Sequence, residues 1–235
     1  MSNYKSEIKQ LERPYFSTIS IQELIRPLLG SGISQVTDIG CGVGAQTMYL
    51  ASKFPQTKFI GTDYNSEKIR LANDLARRQG IKNVSFRLND ILEQSIPQHA
   101  EINSGVISIH TLCCFRNFEP FFESILNLNP DWIVINSLFW EGDLDVLVHI
   151  RDDESGYADD NPDGDFNIFS TSKLKRYLES NGYSTSFVPF YPPEPILGPG
   201  PGKRGTYTMN TELHPRTQFS GPVHLPWSFL RAIKS

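Results

Sequence analysis

Three aspartates, Asp38, Asp63 and Asp90, stand at or near the ends of short apolar runs, and glycines follow the first of them. An ionised carboxylate only accepts hydrogen bonds, so each suits a ligand that presents hydroxyl or amino hydrogens. Asp38 lies two residues before Gly40-Cys41-Gly42-Val43-Gly44, where the absence of Cβ lets the backbone turn sharply and lie close to a ligand. Asp63 closes Phe59-Ile60-Gly61-Thr62 and can accept from both hydroxyls of a ribose, with Tyr64 next to it. Asn89-Asp90-Ile91 closes a third run, and Asp90 there can accept from the exocyclic amine of an adenine. The three sites together describe a nucleoside-binding cleft.

Fewer residues are placed to move protons. His110 follows the apolar run Val106 to Ile109 and should emerge at the carboxyl edge of a sheet, which makes it the candidate base. His149 and Tyr157 flank a later insertion and are further candidates, with ordinary surface or packing roles as the alternative. Cys113-Cys114 could supply a thiolate, but no proline-cysteine pair or basic surface accompanies them, and a buried thiol is commonly packing. Between Asp152 and Asp165 there are seven carboxylates in fourteen residues and no basic one. Asp159-x-Asn161-x-Asp163-Gly164 opens like a calcium loop, yet the twelfth position is Ser170 and Pro162 stiffens the middle, so no metal site is expected. A lid attracting a cationic acceptor or a solvated loop fits the same charges.

The elements that must position these groups alternate in period. Strands are expected at 35–39, 57–62, 84–88, 104–110 and 131–138, with helices from Ala45 to Phe54, Ser66 to Gln79 and Phe118 to Leu128 between them. That alternation predicts a Rossmann-like, doubly wound α/β fold with a mainly parallel sheet. Apolar spacing before Gly30 and Gly32 predicts two short N-terminal helices capping the cleft. Beyond the fifth strand the reading gives a possible strand from Leu144 to Ile150, a helix from Thr171 to Asn181, a strand from Thr185 to Phe190, and a hairpin from Gly205–Met209 and Gln218–Gly221. A terminal helix is read from Trp227 to Ile233. The segment from Pro189 to Gly202 holds six prolines and three glycines, so it reads as an ordered flap, since neither a helix nor a central strand tolerates them. One domain is expected, divided into a helical cap (1–32), a cofactor-binding core (33–140) and acceptor-side β insertions with the last strands (141–235).

The motifs resemble those of class I S-adenosylmethionine-dependent methyltransferases: Asp38 to Gly44 as the first motif, Gly61-Thr62-Asp63-Tyr64 as the ribose motif, Asn89-Asp90-Ile91 as the adenine motif and Gly105 to His110 as the fourth strand. The resemblance implies S-adenosylmethionine as cofactor, with Asp63 on the ribose, Asp90 and Ile91 framing the adenine, and Gly40, Gly42 and Gly44 against the ligand. Asp38 favours a ligand amino group over a diphosphate on charge alone. Gly40, Gly42 and Ala45 also satisfy the dinucleotide pattern, so a NAD(P)-dependent reductase is the alternative, and a non-catalytic S-adenosylmethionine-binding protein is another.

Composition narrows the partners. Hydrophobic residues at 39% and charged residues at 20%, with no apolar run near the roughly 20 residues of a bilayer span, predict a protein that does not enter a membrane. A net charge of −4 with scattered basic residues gives no footprint for a phosphate backbone, so the expected partner is a small-molecule acceptor and not nucleic acid. Three cysteines without disulfide or zinc spacing, and charges throughout Met1 to Arg13, fit a cytoplasmic location. The acceptor, the methylated atom (oxygen or nitrogen) and the oligomeric state are left open by the sequence.

Overall fold

The computed structural model describes residues 4, 8–30, 32–93, 104–150, 164–198 and 205–235. After a 3-10 turn at Lys9–Leu11 the chain forms α1 (Phe16–Leu29), then β1 (Gln35–Ile39), α2 (Ala45–Lys53), β2 (Lys58–Asp63), α3 (Ser66–Gln79), β3 (Val84–Leu88), β4 (Ser104–Ile109), α4 (Glu119–Leu126) and β5 (Trp132–Trp140). There follow β6 (His149–Ile150), β7 (Gly164–Asp165), β8 (Phe169–Ser170), α5 (Thr171–Ser180), β9 (Tyr183–Pro189), β10 (Thr206–Met209), β11 (Thr217–Ser220), β12 (Val223–His224) and β13 (Trp227–Lys234).

The main sheet runs β3-β2-β1-β4-β5-β13-β9, and β8 pairs with the end of β5. β1 to β5 are parallel, whereas β13 lies antiparallel between β5 and β9. The order reverses between β1 and β4, so the connections after these strands diverge to opposite sides and leave a crevice at their carboxyl ends.

Burial on both faces explains why these strands are apolar almost throughout. Along β5, Ile133 and Ile135 join one core with Phe121, Phe122 and Leu174, while Trp132 and Val134 join the other with Ile21 and Ile25 of α1. Successive side chains of a strand point to opposite faces, so the alternation is the expected one. α1 therefore lies as a layer on the sheet. The N-terminal helices were expected to cap the cleft; the apolar stripe of α1 packs on the sheet, its N-cap residue Tyr15 has its ring 6.0 Å from that of His110, and Tyr4, Ile8 and Leu11 before it pack against Val43 and Ala45 of the glycine turn.

The terminal helix expected from Trp227 to Ile233 is not formed. These residues are β13, paired along its length with Leu138 to Trp132 on one side and Pro189 to Tyr183 on the other. Phe229 packs on the α1 side and Leu230 and Ala232 on the opposite side, and a short run apolar on both faces cannot be told from a helix by periodicity. The strand read from Leu144 to Ile150 shrinks to β6, antiparallel to β7, plus a bridge between Val146 and Ile168. Most of the acidic segment, including Tyr157 and the calcium-like stretch from Asp159 to Asp163, lies outside the described residues, as do residues 94–103 of the third connection and 199–204 of the proline-rich segment. Among the described residues no helix is long and apolar enough to cross a membrane, and no three metal-ligating side chains cluster.

Candidate functional site

The glycine turn leaves β1 through Gly40 (φ 73°), Gly42 (φ 56°) and Gly44 (φ 74°), backbone angles that side chains with a Cβ rarely adopt. The amides of Gly40 and Cys41 both donate to the Thr62 carbonyl, at 2.8 and 2.9 Å, which ties the turn to β2. Neighbouring side chains then close around the turn. A Cβ at Gly40 would strike the side chain of Thr111, and one at Gly44 would strike the Phe86 ring. Gly44 is therefore demanded by the packing of β3 against α2, and it does not border the cleft described below.

Asp63 ends β2 and is 7% exposed. Its Oδ2 accepts from the Gly42 amide and its Oδ1 from the Asn65 amide, both at 2.9 Å. One carboxylate thus fixes the glycine turn and the start of α3 together, and each oxygen keeps a further lone pair for a ligand hydroxyl. Asn65 in turn caps α3, its Oδ1 accepting from the Glu67 and Lys68 amides at 3.0 Å each.

A cleft of about 570 Å³ opens over this floor, at the crevice between the ends of β1 and β4. Gly40, Asp63, Tyr64, Asn89, Asp90 and Ile91 line one side. Tyr64 is 73% exposed, an aromatic face left on the rim. Asp90 accepts from the Leu92 amide at 2.9 Å, and the Ile91 carbonyl accepts from the Ser124 hydroxyl at 2.6 Å, so this wall is internally braced. The opposite wall comes from the connection after β4: Cys114, weighed above as a thiolate, with Thr111, Phe115, Arg116 and Asn117, which sequence reasoning missed. Their signal was position alone, immediately after the fourth strand.

Asp38 does not border the cleft. It is 2% exposed beneath the turn and accepts from the Thr47 hydroxyl of α2 at 2.5 Å. Burial, opposed by the Thr47 bond and reinforced by the Asp63 charge, raises its pKa to about 7. A carboxyl so placed carries less charge than the argument against a diphosphate assumed, so that argument loses its footing. The raised value has a sign for stability. The folded chain holds this proton at pH values where the unfolded chain, with a carboxyl near about 3.9, has lost it. Stability of the ligand-free protein is therefore expected to fall between about pH 4 and about pH 7, by up to ~1.4 kcal/mol per pH unit. Urea unfolding across that range should show the slope, and Asp38→Asn should remove it; the same slope in the variant would assign it to other groups.

His110 sits at the carboxyl edge just past β4 in a left-handed conformation (φ 58°), uncommon for a residue other than glycine and a form of local strain. Its amide donates to the Asn136 carbonyl at 3.0 Å, and its ring packs 4.5 Å from that of Trp227. Burial lowers its pKa to about 4, with the Asn136 side chain pulling the other way, so the imidazole is neutral near pH 7. The two cysteine thiols point back to the His110 carbonyl, at 3.5 Å for Cys113 and 3.8 Å for Cys114, and brace this turn. His149 lies apart from these groups in the chain, its Nδ1 2.9 Å from Asp165, a residue that borders the cleft.

Residues 32–182 match the protein family described as "Methyltransferase domain". The chain belongs to that family. The chain matches curated relatives over short stretches. It is 41% identical over 63 residues to tocopherol O-methyltransferase of Arabidopsis thaliana, covering 26% of this chain and 18% of that one. It is 37% identical over 84 residues to ribosomal RNA small subunit methyltransferase G of Bacteroides fragilis, covering 35% of this chain and 39% of that one. The match thus spans well under half the length of either relative. Among solved structures, magnesium protoporphyrin IX methyltransferase from Synechocystis PCC 6803 with bound SAM superposes with a TM-score of 0.56 at 14% identity, over 93% of this chain and 78% of that one, a likeness of fold.

The cleft fits the cofactor that the family implies. Its volume lies within the roughly 300–1,000 Å³ of small-molecule sites, and it combines apolar walls with a buried carboxylate whose lone pairs are only half used.

Proposed function

We propose that the protein transfers a methyl group from S-adenosylmethionine to oxygen or nitrogen of a small-molecule acceptor. The observation that carries this reading is Asp63 clamping the glycine turn at the floor of the cleft, in a chain of the methyltransferase-domain family. Asp63 would hold the ribose, Tyr64 and Ile91 the base, and Gly40 the part of the ligand nearest β1, with Gly42 acting through its amide bond to Asp63. The cofactor supplies an activated methyl on a positively charged sulfur. The protein's task is then alignment of acceptor and methyl, with removal of a proton where the acceptor carries one. His110 is neutral near pH 7 and would accept that proton if the acceptor reaches it, since its ring packs on Trp227 and does not itself border the cleft. Small-molecule methylation is supported by the name of the tocopherol relative, and the net charge of −4 speaks against a nucleic-acid backbone as the acceptor surface, although three relatives are named as ribosomal RNA methyltransferases.

The test is transfer of labelled methyl from S-adenosylmethionine to a panel of phenols, amines and carboxylic acids, with ribosomal RNA as a further acceptor. Label recovered in a small molecule is the expected result. Label recovered in RNA alone would overturn the acceptor class.

A further inference from the structure

A second cavity, of about 160 Å³, opens at the same carboxyl edge on the other half of the sheet. Four aromatic residues from separate segments frame it: Trp140 ends β5, Phe190 and Tyr191 follow β9, and Trp227 begins β13. Because β13 is antiparallel to β5 and β9, its first residue meets their last ones, so this assembly follows from the strand directions. The hairpin of β10 to β12 covers it with Thr217, Gln218 and His224. Among the described residues no carboxylate, lysine or arginine side chain borders the space, and burial lowers the pKa of His224, which favours its neutral form.

The walls are preformed. The Phe190 amide donates to the Trp227 carbonyl at 2.9 Å, the Phe190 ring meets Phe229 edge-on at 5.4 Å, and Tyr191 stacks on His214 with ring centroids 3.6 Å apart. Trp227 is also the ring that packs 4.5 Å from His110, and the next residue after His110, Thr111, borders the larger cleft. Trp227, His110 and Thr111 thus stand between the cavity and the cleft, which share no lining residue.

We propose that the cavity framed by Trp140, Phe190, Tyr191 and Trp227 is an acceptor-side subsite that anchors an uncharged aromatic ring of the acceptor, on the far side of Trp227 from the cleft. Its size suits a single ring, since an apolar cavity of roughly 150 Å³ binds benzene, and aromatic walls favour offset and edge-on contacts with such a ligand. The described lining holds no charged side chain, which selects against a carboxylate or an ammonium there, whose charge would be desolvated without a partner. This assignment rests on the methyl-transfer reading and narrows it to acceptors that carry an uncharged aromatic ring.

Fluorine NMR of 4-fluorophenol tests it, with 4-fluorobenzoate as the charged analogue and S-adenosylhomocysteine affinity measured in parallel. Saturable broadening of 4-fluorophenol is expected, with 4-fluorobenzoate bound much more weakly. Trp140 and Tyr191 are 47% and 41% exposed, so their truncation should leave the fold intact. Trp140→Ala and Tyr191→Ala should each weaken 4-fluorophenol about ten-fold while retaining S-adenosylhomocysteine affinity. No saturable 4-fluorophenol binding in protein that binds S-adenosylhomocysteine, equal binding of 4-fluorobenzoate, or full 4-fluorophenol affinity in both variants would overturn the subsite. Failure of the wild-type protein to bind S-adenosylhomocysteine would instead overturn the methyl-transfer reading beneath it.

Discussion

Replacing Asp63 with alanine is expected to weaken S-adenosylhomocysteine binding by about 1.5–3 kcal/mol, the worth of hydrogen bonds to a charged group, or roughly ten- to 150-fold. Two effects add in the same direction. The ribose loses its acceptor, and the amides of Gly42 and Asn65 lose theirs, so the turn is no longer held in the shape that meets the ligand. Asp63→Asn separates them, because the amide keeps one acceptor oxygen and should fall between wild type and alanine. Calorimetric titration reads the affinities, with thermal melting as the control for folding. An unchanged dissociation constant in Asp63→Ala would remove this residue from the site.

The second large effect is on stability. Gly40→Ala should destabilise the protein by about 2–5 kcal/mol, combining roughly 1–2 for a left-handed residue with a Cβ and roughly 1–3 for forcing an atom into occupied space. The occupied space is the Thr111 side chain, so the two positions are coupled. Adding Thr111→Ala should therefore cost less in the Gly40→Ala background than in the wild type, by about 1 kcal/mol, as read by urea unfolding. A Gly40→Ala variant as stable as wild type would mean that the turn adopts another backbone path.

Much of this arrangement was legible in the chain. β1, β3 and α3 begin and end where periodicity and caps place them, because each is bounded by local chemistry: Asn65 caps α3 and Gly80, at φ 67°, ends it. The carboxyl-edge positions of Asp63, Asp90 and His110 followed from strand ends alone. What the chain did not disclose depends on partners distant in sequence. β13 is a strand because β5 and β9 flank it, and nothing local in Trp-Ser-Phe-Leu-Arg-Ala-Ile-Lys distinguishes that from a helix. Asp38 reads as a ligand contact by its spacing from Gly40, yet Thr47 engages it and the turn buries it. Gly44 reads as clearance for a ligand, whereas Phe86 sets the limit. The wall after β4 and the four-ring cavity were hidden for the same reason, since each assembles residues that only the sheet order brings together.

The central claim is that the cleft above Asp63 holds an adenosine bearing an amino-acid tail and not a dinucleotide. Equilibrium dialysis of the protein against S-adenosylhomocysteine and NADH in separate chambers tests it most directly. Saturable binding of S-adenosylhomocysteine, with NADH unable to displace it, is the result expected. Saturable binding of NADH with none of S-adenosylhomocysteine would contradict the account and restore the reductase reading that the glycine pattern also allows.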